Sequence, residues 1–507
     1  MSATMTMERP VRTSSTVELD SMKGQRPPPP LESIGPETPS SMDHPDDAHQ
    51  NTVARGMIKE LSCHASMLIA GWSDASSGPL IPYLQSYFGV SYTVVSMLFV
   101  GQAVGFLASA GAMYFMVERL GFGKVIVIGA ALQAFAYALL IPAFPFPVFP
   151  VLYAISGFGM AIQDSQANVY IATLPNADRK LGFLHASYGL GAALCPLAAT
   201  AFASHFPRHF SKFWSISLAI ALLNIGILLY AFRFNYVIDV SDPVLLEDGS
   251  TAPPTRPPSP RQEVALEAQT PQLETENSSI KSYNPSTPPR GGDTTYPPEI
   301  RTDGLRKLQG NRKEKSIVRQ ALLNRTTILS SIFILFYVGS EVSMGGWIVT
   351  FLIDNRGGGP SAGYVATGFW LGLTVGRAAL NPLTRWVGEK RIVYMYLAVA
   401  FALEFAVWFA DSFIGNAVVV SLVGVVIGPI YPILMSLITK LFPRKFHGPS
   451  IAFIASFGQV GSAIFPFLTG ALAQKFNPAV LQPVLIVLFA VQFALWFAVP
   501  DVVRKKE

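Results

Sequence analysis

The sequence predicts an all-α membrane protein of 12 transmembrane helices arranged as two six-helix bundles, and three observations carry that prediction. Half of the 507 residues are hydrophobic and only 14% are charged, against about 25% in an ordinary soluble domain. The apolar residues gather into runs of about 20, the length a helix needs to cross a bilayer. These runs show no period-two alternation, so they are not barrel strands, and a backbone in hydrocarbon satisfies its own polar groups as a helix. The two cysteines, Cys63 and Cys195, both lie in apolar runs, which excludes a disulfide scaffold and any paired-Cys metal spacing.

The elements follow in order. Residues 1–56 are rich in Pro, Ser and acids without an apolar signal-peptide core, and are expected to form a disordered cytosolic tail. Six spans come next, at 58–84, 93–116, 122–142, 148–173, 181–203 and 212–232, giving an N-terminal bundle over 57–233. Residues 234–325 read as a cytosolic Pro-rich linker. Its end, 301–325, holds eight basic residues against Asp303 and Glu314. That stretch either rests on anionic inner-leaflet lipid or acts only as a topological stop signal. The second six spans, at 326–353, 361–384, 390–409, 413–439, 448–471 and 479–499, give a C-terminal bundle over 326–500, followed by a cytosolic tail at 501–507.

Orientation rests on the basic residues of short loops. One set of alternate loops carries Arg119, Lys124, Arg179, Lys180, Arg385, Lys390, Arg391, Lys440, Arg444 and Lys445; the other carries Arg208, Lys212, Arg356 and Lys475. Ten against four places both termini in the cytosol. The net charge of +5 comes from these turns and is no nucleic-acid signature. The plasma membrane is the default location ahead of the vacuole, and a monomer is expected.

The halves read as a repeat. Gly101-Gln-Ala-Val-Gly105 in the second span has a counterpart in Gly372-Leu-Thr-Val-Gly376 of the eighth, and Gly191-Ala-Ala-Leu-Cys-Pro196 in the fifth is echoed by Gly461-Ser-Ala-Ile-Phe-Pro466 in the eleventh. Small residues four apart let helices approach closely, and recurrence at the same place in each half is what two parallel repeats require.

Charges inside spans cost about 2.5–3.5 kcal/mol each on insertion scales, so they mark function. They are Asp74, Asp164, Glu341, Arg377 and Glu404. Asp164 and Asn168 are four apart and share a helix face with Gly157. Asp74 lies in Gly71-Trp-Ser-Asp74-Ala-Ser-Ser-Gly78-Pro79, where Gly and Pro loosen the helix; irregular backbone at membrane depth belongs inside protein or beside a water-filled cavity. A carboxylate sheltered there can exchange a proton near neutral pH, so Asp74 and Asp164 are expected to carry a coupling proton. Glu341, in Gly339-Ser-Glu341-Val-Ser-Met-Gly-Gly-Trp347, joins them from the other half. The alternative for each is an ion pair or hydroxyl contact that only holds helices together.

Trp370, Thr374, Arg377 and Asn381 fall at i, i+4, i+7 and i+11, one polar-aromatic stripe. Arg377 there either binds an acceptor-rich solute or serves as counter-ion to Glu341. His185 and Tyr188 share a face of the fifth span, and Gln459 is their candidate counterpart in the eleventh. Asn168, His185, Tyr188, Trp370, Thr374, Arg377 and Gln459 are therefore the candidate solute contacts, and Glu404, among Phe401, Phe405 and Trp408, reads as structural. Gly121-Phe-Gly123-Lys124 is too short for a P-loop. No His-Glu-x-x-His or Gly-x-Ser-x-Gly signature is present, and neither cofactor, metal nor enzymatic activity is expected.

Over nearly all of its membrane portion this pattern resembles the major facilitator superfamily. The Asp164-to-Asn168 segment followed by Leu181-Gly-Phe-Leu-His185-Ala-Ser-Tyr188-Gly-Leu-Gly191 is similar to the fucose permease branch, and most of all to its fungal bypass-of-stop-codon-6-like members. The resemblance implies the major facilitator fold. It also implies protonation or sugar-contacting roles for the carboxylates at Asp74 and Asp164. The expected function is proton-coupled uptake of a small polar, sugar-like solute by alternating access, driven by the proton gradient. The alternatives are a proton-antiport exporter of small organic molecules and a non-transporting nutrient sensor.

Overall fold

The computed structural model describes residues 45–233 and 319–501. The chain divides into two compact units, residues 1–53 and 54–507; of the first only the helical residues 45–53 are described, and all contacts below lie within the second. The expected tail to residue 44, linker from 234 to 318 and tail from 502 lie outside the described residues.

Every expected span falls on helix. In chain order the first half contains α1 (Pro45–Ala75), α2 (Ser77–Phe88), α3 (Tyr92–Val95), α4 (Met97–Leu120), α5 (Phe122–Leu140), α6 (Val148–Ala172), α7 (Ala177–His205) and α8 (Trp214–Phe232). The second half contains α9 (Arg325–Arg356), α10 (Gly363–Ala379), α11 (Asn381–Val387), α12 (Glu389–Phe409), α13 (Phe413–Ile427), α14 (Ile430–Leu441), α15 (Arg444–Lys475) and α16 (Leu481–Ala498). Helix starts earlier than the expected disordered tail allows: α1 opens at Pro45, a residue type suited to the first turn.

Among the described residues, nine helical segments are long and apolar enough to cross a membrane. The first, fourth and eighth expected spans are helical but less apolar. They hold Asp74, the Gln163-to-Asn168 polar run and Arg377, whereas Glu341, His185 and Tyr188 lie in helices that still qualify. The outer surface is apolar: Leu223 is 66% exposed, Val487 58% and Phe497 73%, which suits side chains facing acyl chains.

Several spans are broken rather than continuous. The first breaks at Ser76, whose N–H and hydroxyl both donate to the Ser73 carbonyl, at 3.2 and 2.7 Å. The eighth breaks at Leu380, because Pro382 has no N–H to continue α10. The tenth breaks at Gly428-Pro429.

The repeated glycines occupy matched positions. In α4, Gly101 and Gly105 seat against the carbonyls of Pro150 and Ala154 in α6, where a Cβ would overlap the oxygens. In α10, Gly372 and Gly376 seat in the same way against Ser421 and Val425 of α13. The second pair matches too: Gly191 of α7 meets the Leu68 carbonyl in α1, and Gly461 of α15 meets the Leu335 carbonyl in α9. Spans two and four, and one and five, thus close on each other through the same device as spans eight and ten, and seven and eleven.

The halves meet along a seam at one end. Gly78 of α2 lies against the Gly345 carbonyl of α9. Tyr92 of α3 donates from its hydroxyl to Asp354 Oδ2 at 2.7 Å and from its backbone N–H to Gln474 Oε1 at 3.0 Å, and its ring meets Trp347 at 5.9 Å. Gly363 packs on Thr200, and Gly470 on Ser96.

Candidate functional site

Asp74 and Glu341 hold equivalent places on the two halves. Asp74 precedes Gly78 by four residues and Glu341 precedes Gly345 by four, and those two glycines touch. Each carboxylate therefore sits about one helical turn, roughly 6 Å of rise, from the point where the halves meet. Ser76, two residues after Asp74, keeps helical dihedrals but bonds back to Ser73, so this carboxylate lies at a one-residue irregularity in the helix.

Two other helices hold Asp74. Tyr188 of α7 donates its hydroxyl to Asp74 Oδ2 at 2.6 Å, and Gln102 of α4 donates to Oδ1. Gln102 lies inside the Gly101–Gly105 motif, whose tight packing fixes the α4 backbone beside α6. Asp164 and Asn168 form a pair on one face of α6, as their spacing requires: the Asn168 amide donates to Asp164 Oδ1 at 2.8 Å and to its carbonyl at 2.9 Å. Asp74 lies within the field of both Asp164 and Glu341; Asp74 and Asp164 are half-buried and Glu341 is buried.

In the second half Arg377 is the counter-ion of Glu341. Its Nη2 lies 3.3 Å from Glu341 Oε1, and its Nε donates to the Gly428 carbonyl at 3.4 Å, a group left without a helical donor because Pro432, four residues on, has no N–H. The side chains are 18% and 8% exposed, so the pair is largely shielded from water. Tyr337 donates to the Ile427 carbonyl at 3.2 Å and packs against Tyr431 at 6.3 Å. Tyr431 senses Asp164 from the first half together with Arg377 and Glu341.

The remaining candidates divide. His185 is half-buried and within the field of Arg377. Trp370 is buried against Gly345, and its indole Nε1 has no hydrogen-bond partner among the described residues. Thr374 donates back to the Trp370 carbonyl at 2.9 Å and fills the space beside Gly189 of α7, so its hydroxyl is engaged locally at the seam. Asn381 leaves the stripe, because the break at Leu380 places it exposed at the start of α11. Gln459 has Ser462 on its carbonyl at 2.8 Å and makes no described contact with the Glu341–Arg377 pair. Glu404 is fully buried in α12 with neither carboxyl oxygen hydrogen-bonded among the described residues.

Other polar residues of the spans are staples. Asn224 donates to Gln163 at 2.8 Å, Gln163 to Gln133 at 2.9 Å and Gln133 to the Tyr137 hydroxyl at 3.1 Å, a chain joining α8, α6 and α5. Sequence reasoning singled out no role for Gln102, Tyr337 or Tyr431. For Tyr431 a signal was present, since Gly428-Pro429-Ile-Tyr431-Pro432 interrupts a span as the Asp74 segment does.

Comparison with known proteins places this geometry. The family model described as Major Facilitator Superfamily matches residues 64–466, with a second match over 329–507. The chain is 22% identical over 463 residues to the Bypass of stop codon protein 6 of Saccharomyces cerevisiae, covering 88% of this chain and 83% of that protein. It is 24% identical over 429 residues to a Glucose/galactose transporter of Brucella abortus, covering 80% and 86%. Among solved structures, a D-xylose-proton symporter superposes with a TM-score of 0.62 at 13% identity over 89% of this chain and 99% of that one. The FucP transporter in its outward conformation gives 0.52 at 15% identity over 88% and 100%.

Proposed function

The chain belongs to the major facilitator superfamily, a multi-pass integral membrane transporter, and from that premise we propose that it takes up a small polar, sugar-like solute together with protons. The observation that carries the reading is the placement of Asp74 and Glu341 one turn from the Gly78–Gly345 contact, with Asp74 held by hydroxyl and amide donors from two further helices. A carboxylate ringed by neutral donors can be charged or neutral without losing its place, which suits a group that binds and releases a proton. Asp164, with its amide partner Asn168, is the second carboxylate in the same field. Glu341 differs: Arg377 neutralises it, so the pair carries no net charge and serves best to hold α9 against α10 while offering guanidinium N–H groups to solute oxygens.

Solute hydroxyls would meet the unpartnered Trp370 N–H, His185, Tyr188 and Asn168. Residues 57–233 and 326–500 are read as the two bundles that rock about this point, with both termini in the cytosol and the plasma membrane as the site of action. The seam at Tyr92 corresponds to a conformation sealed at that end. The sugar class is supported by the similarity to the Glucose/galactose transporter of Brucella abortus.

The test is uptake of a panel of labelled monosaccharides into proteoliposomes with and without an imposed proton gradient. Gradient-driven accumulation of one or more sugars is expected. Asp74→Asn with Asp164→Asn should abolish accumulation while solute exchange persists. Undiminished gradient-driven accumulation in the double variant overturns the reading.

A further inference from the structure

The membrane face at which α1 enters and α8 ends carries a second feature, remote from the seam. Arg55 and Lys59 of α1 and Arg233, just past α8, line a cavity of about 310 Å³ together with Tyr230. Ile58 and Tyr230 also line a neighbouring hollow of about 510 Å³, whose walls are otherwise Leu61, Ala65, Leu222, Leu223, Gly226 and Ile227. One end of this continuous depression is cationic and the other wholly apolar.

Its position relative to the bilayer follows from the spans. The sixth span ends at Phe232, so Arg233 is the first residue beyond it and the basic cavity lies at headgroup level. The apolar hollow runs back along α1 and α8, at hydrocarbon depth. Nothing lies within 4 Å of where a Gly226 side chain would begin, so the hollow is open where α8 has its smallest residue. Tyr230, 70% exposed, stands at the junction, the interfacial place that amphipathic rings favour.

The basic end is built rather than merely basic. Phe232 is buried against Phe122 and Tyr170, which fixes the wall of the cavity. Arg233 then leaves the helix at φ 46, a backbone region that non-glycine residues seldom take, while its N–H still closes the last turn on the Leu229 carbonyl at 3.1 Å. The neighbouring acid Glu60 is held by Lys180 at 2.8 Å and does not line the cavity. Guanidinium groups present paired N–H donors that match phosphate oxygens, and basic pockets between transmembrane helices are suited to anionic headgroups.

We propose that this depression binds one anionic phospholipid, its phosphate on Arg55 and Arg233 and an acyl chain along Leu61 and Gly226. Cations that merely flank a span would attract anionic lipid without selecting a single molecule. An adjoining apolar groove makes the site specific for a lipid over a soluble phosphate.

The experiment is native mass spectrometry of the full-length protein released from nanodiscs of phosphatidylserine and phosphatidylcholine. Retention of one phosphatidylserine in preference to phosphatidylcholine is expected. Each basic residue near an anionic surface contributes a factor of about five in affinity, so Arg55→Gln with Arg233→Gln should weaken retention by about 25-fold. Gly226→Leu, which fills the groove and leaves the cations, should also weaken it. Should the double variant fail to fold, the unaltered protein answers the same question, because charge-held lipid is lost as salt rises. Equal retention of both lipids, retention unaffected by both sets of substitutions, or retention indifferent to salt overturns the proposal.

Discussion

Tyr92 offers a measurement of how firmly the halves are held together at the seam. It makes three contacts across it, and Tyr92→Phe removes only the hydroxyl bond to Asp354, leaving the backbone bond to Gln474 and the ring contact with Trp347. A hydrogen bond to a charged group contributes about 1.5–3 kcal/mol when shielded, but Asp354 is exposed, so screening reduces this to about 1 kcal/mol. The sealed-to-open ratio should therefore fall by a factor of about five. Spin labels at the exposed Ser86 and Ser361, one on each half near this end, report that ratio as a distance distribution. The wide component should grow in Tyr92→Phe and equally in Asp354→Ala, and the double variant should match either single one, because both break the same bond. An unchanged distribution in Tyr92→Phe, or additive effects of the two substitutions, would refute the reasoning.

Other outcomes follow from the same geometry. Glu341→Gln strands Arg377 as a shielded unpaired charge, so thermal unfolding in detergent should show a loss of about 3 kcal/mol, largely restored when Arg377→Gln is added; no restoration would mean that the ion pair is not what the loss reports. Gly105→Ala and Gly376→Ala should each cost about 1–3 kcal/mol through overpacking against a carbonyl, whereas Gly182→Ala, with nothing within 4 Å, should stay within about 0.5 kcal/mol on the same melting assay. Trp370→Phe breaks no internal hydrogen bond, so stability should hold while solute affinity, read as KM for uptake, weakens by about tenfold; an unchanged KM removes Trp370 from the solute contacts.

Fold and site were legible to different depths. Each of the twelve stretches that hydropathy picked out falls on helix, because burying backbone in lipid leaves few options. Hydropathy also drew continuous helices where Ser76, Leu380 and Gly428 interrupt them, since a running average passes over a one-residue break. The glycine repeats could be read because close approach admits no other residue. In the site, the charged residues stood out through their insertion cost, spacing set Asn168 beside Asp164, and Arg377 could be offered as counter-ion to Glu341, but the partners of Asp74 did not stand out. Gln102 and Tyr188 are 28 and 114 residues from Asp74 in the chain, and a lone Gln inside a span looks the same whether it holds a carboxylate or joins the Gln133–Gln163–Asn224 chain. Asn381 illustrates the reverse error: an ideal helical stripe ran across Leu380, where the helix ahead of Pro382 ends.

The matched glycine seats bear on how force travels through the molecule. Where spans two and four, or eight and ten, meet main chain to main chain, no layer of pliant side chains lies between them to absorb a push. Each block of helices is stiff across that junction, so a push on Trp370 or Tyr188 would pass to the Gly78–Gly345 boundary instead of being spent on local repacking. A larger residue at any seat would act as a cushion, and its effect should appear in turnover before it appears in binding.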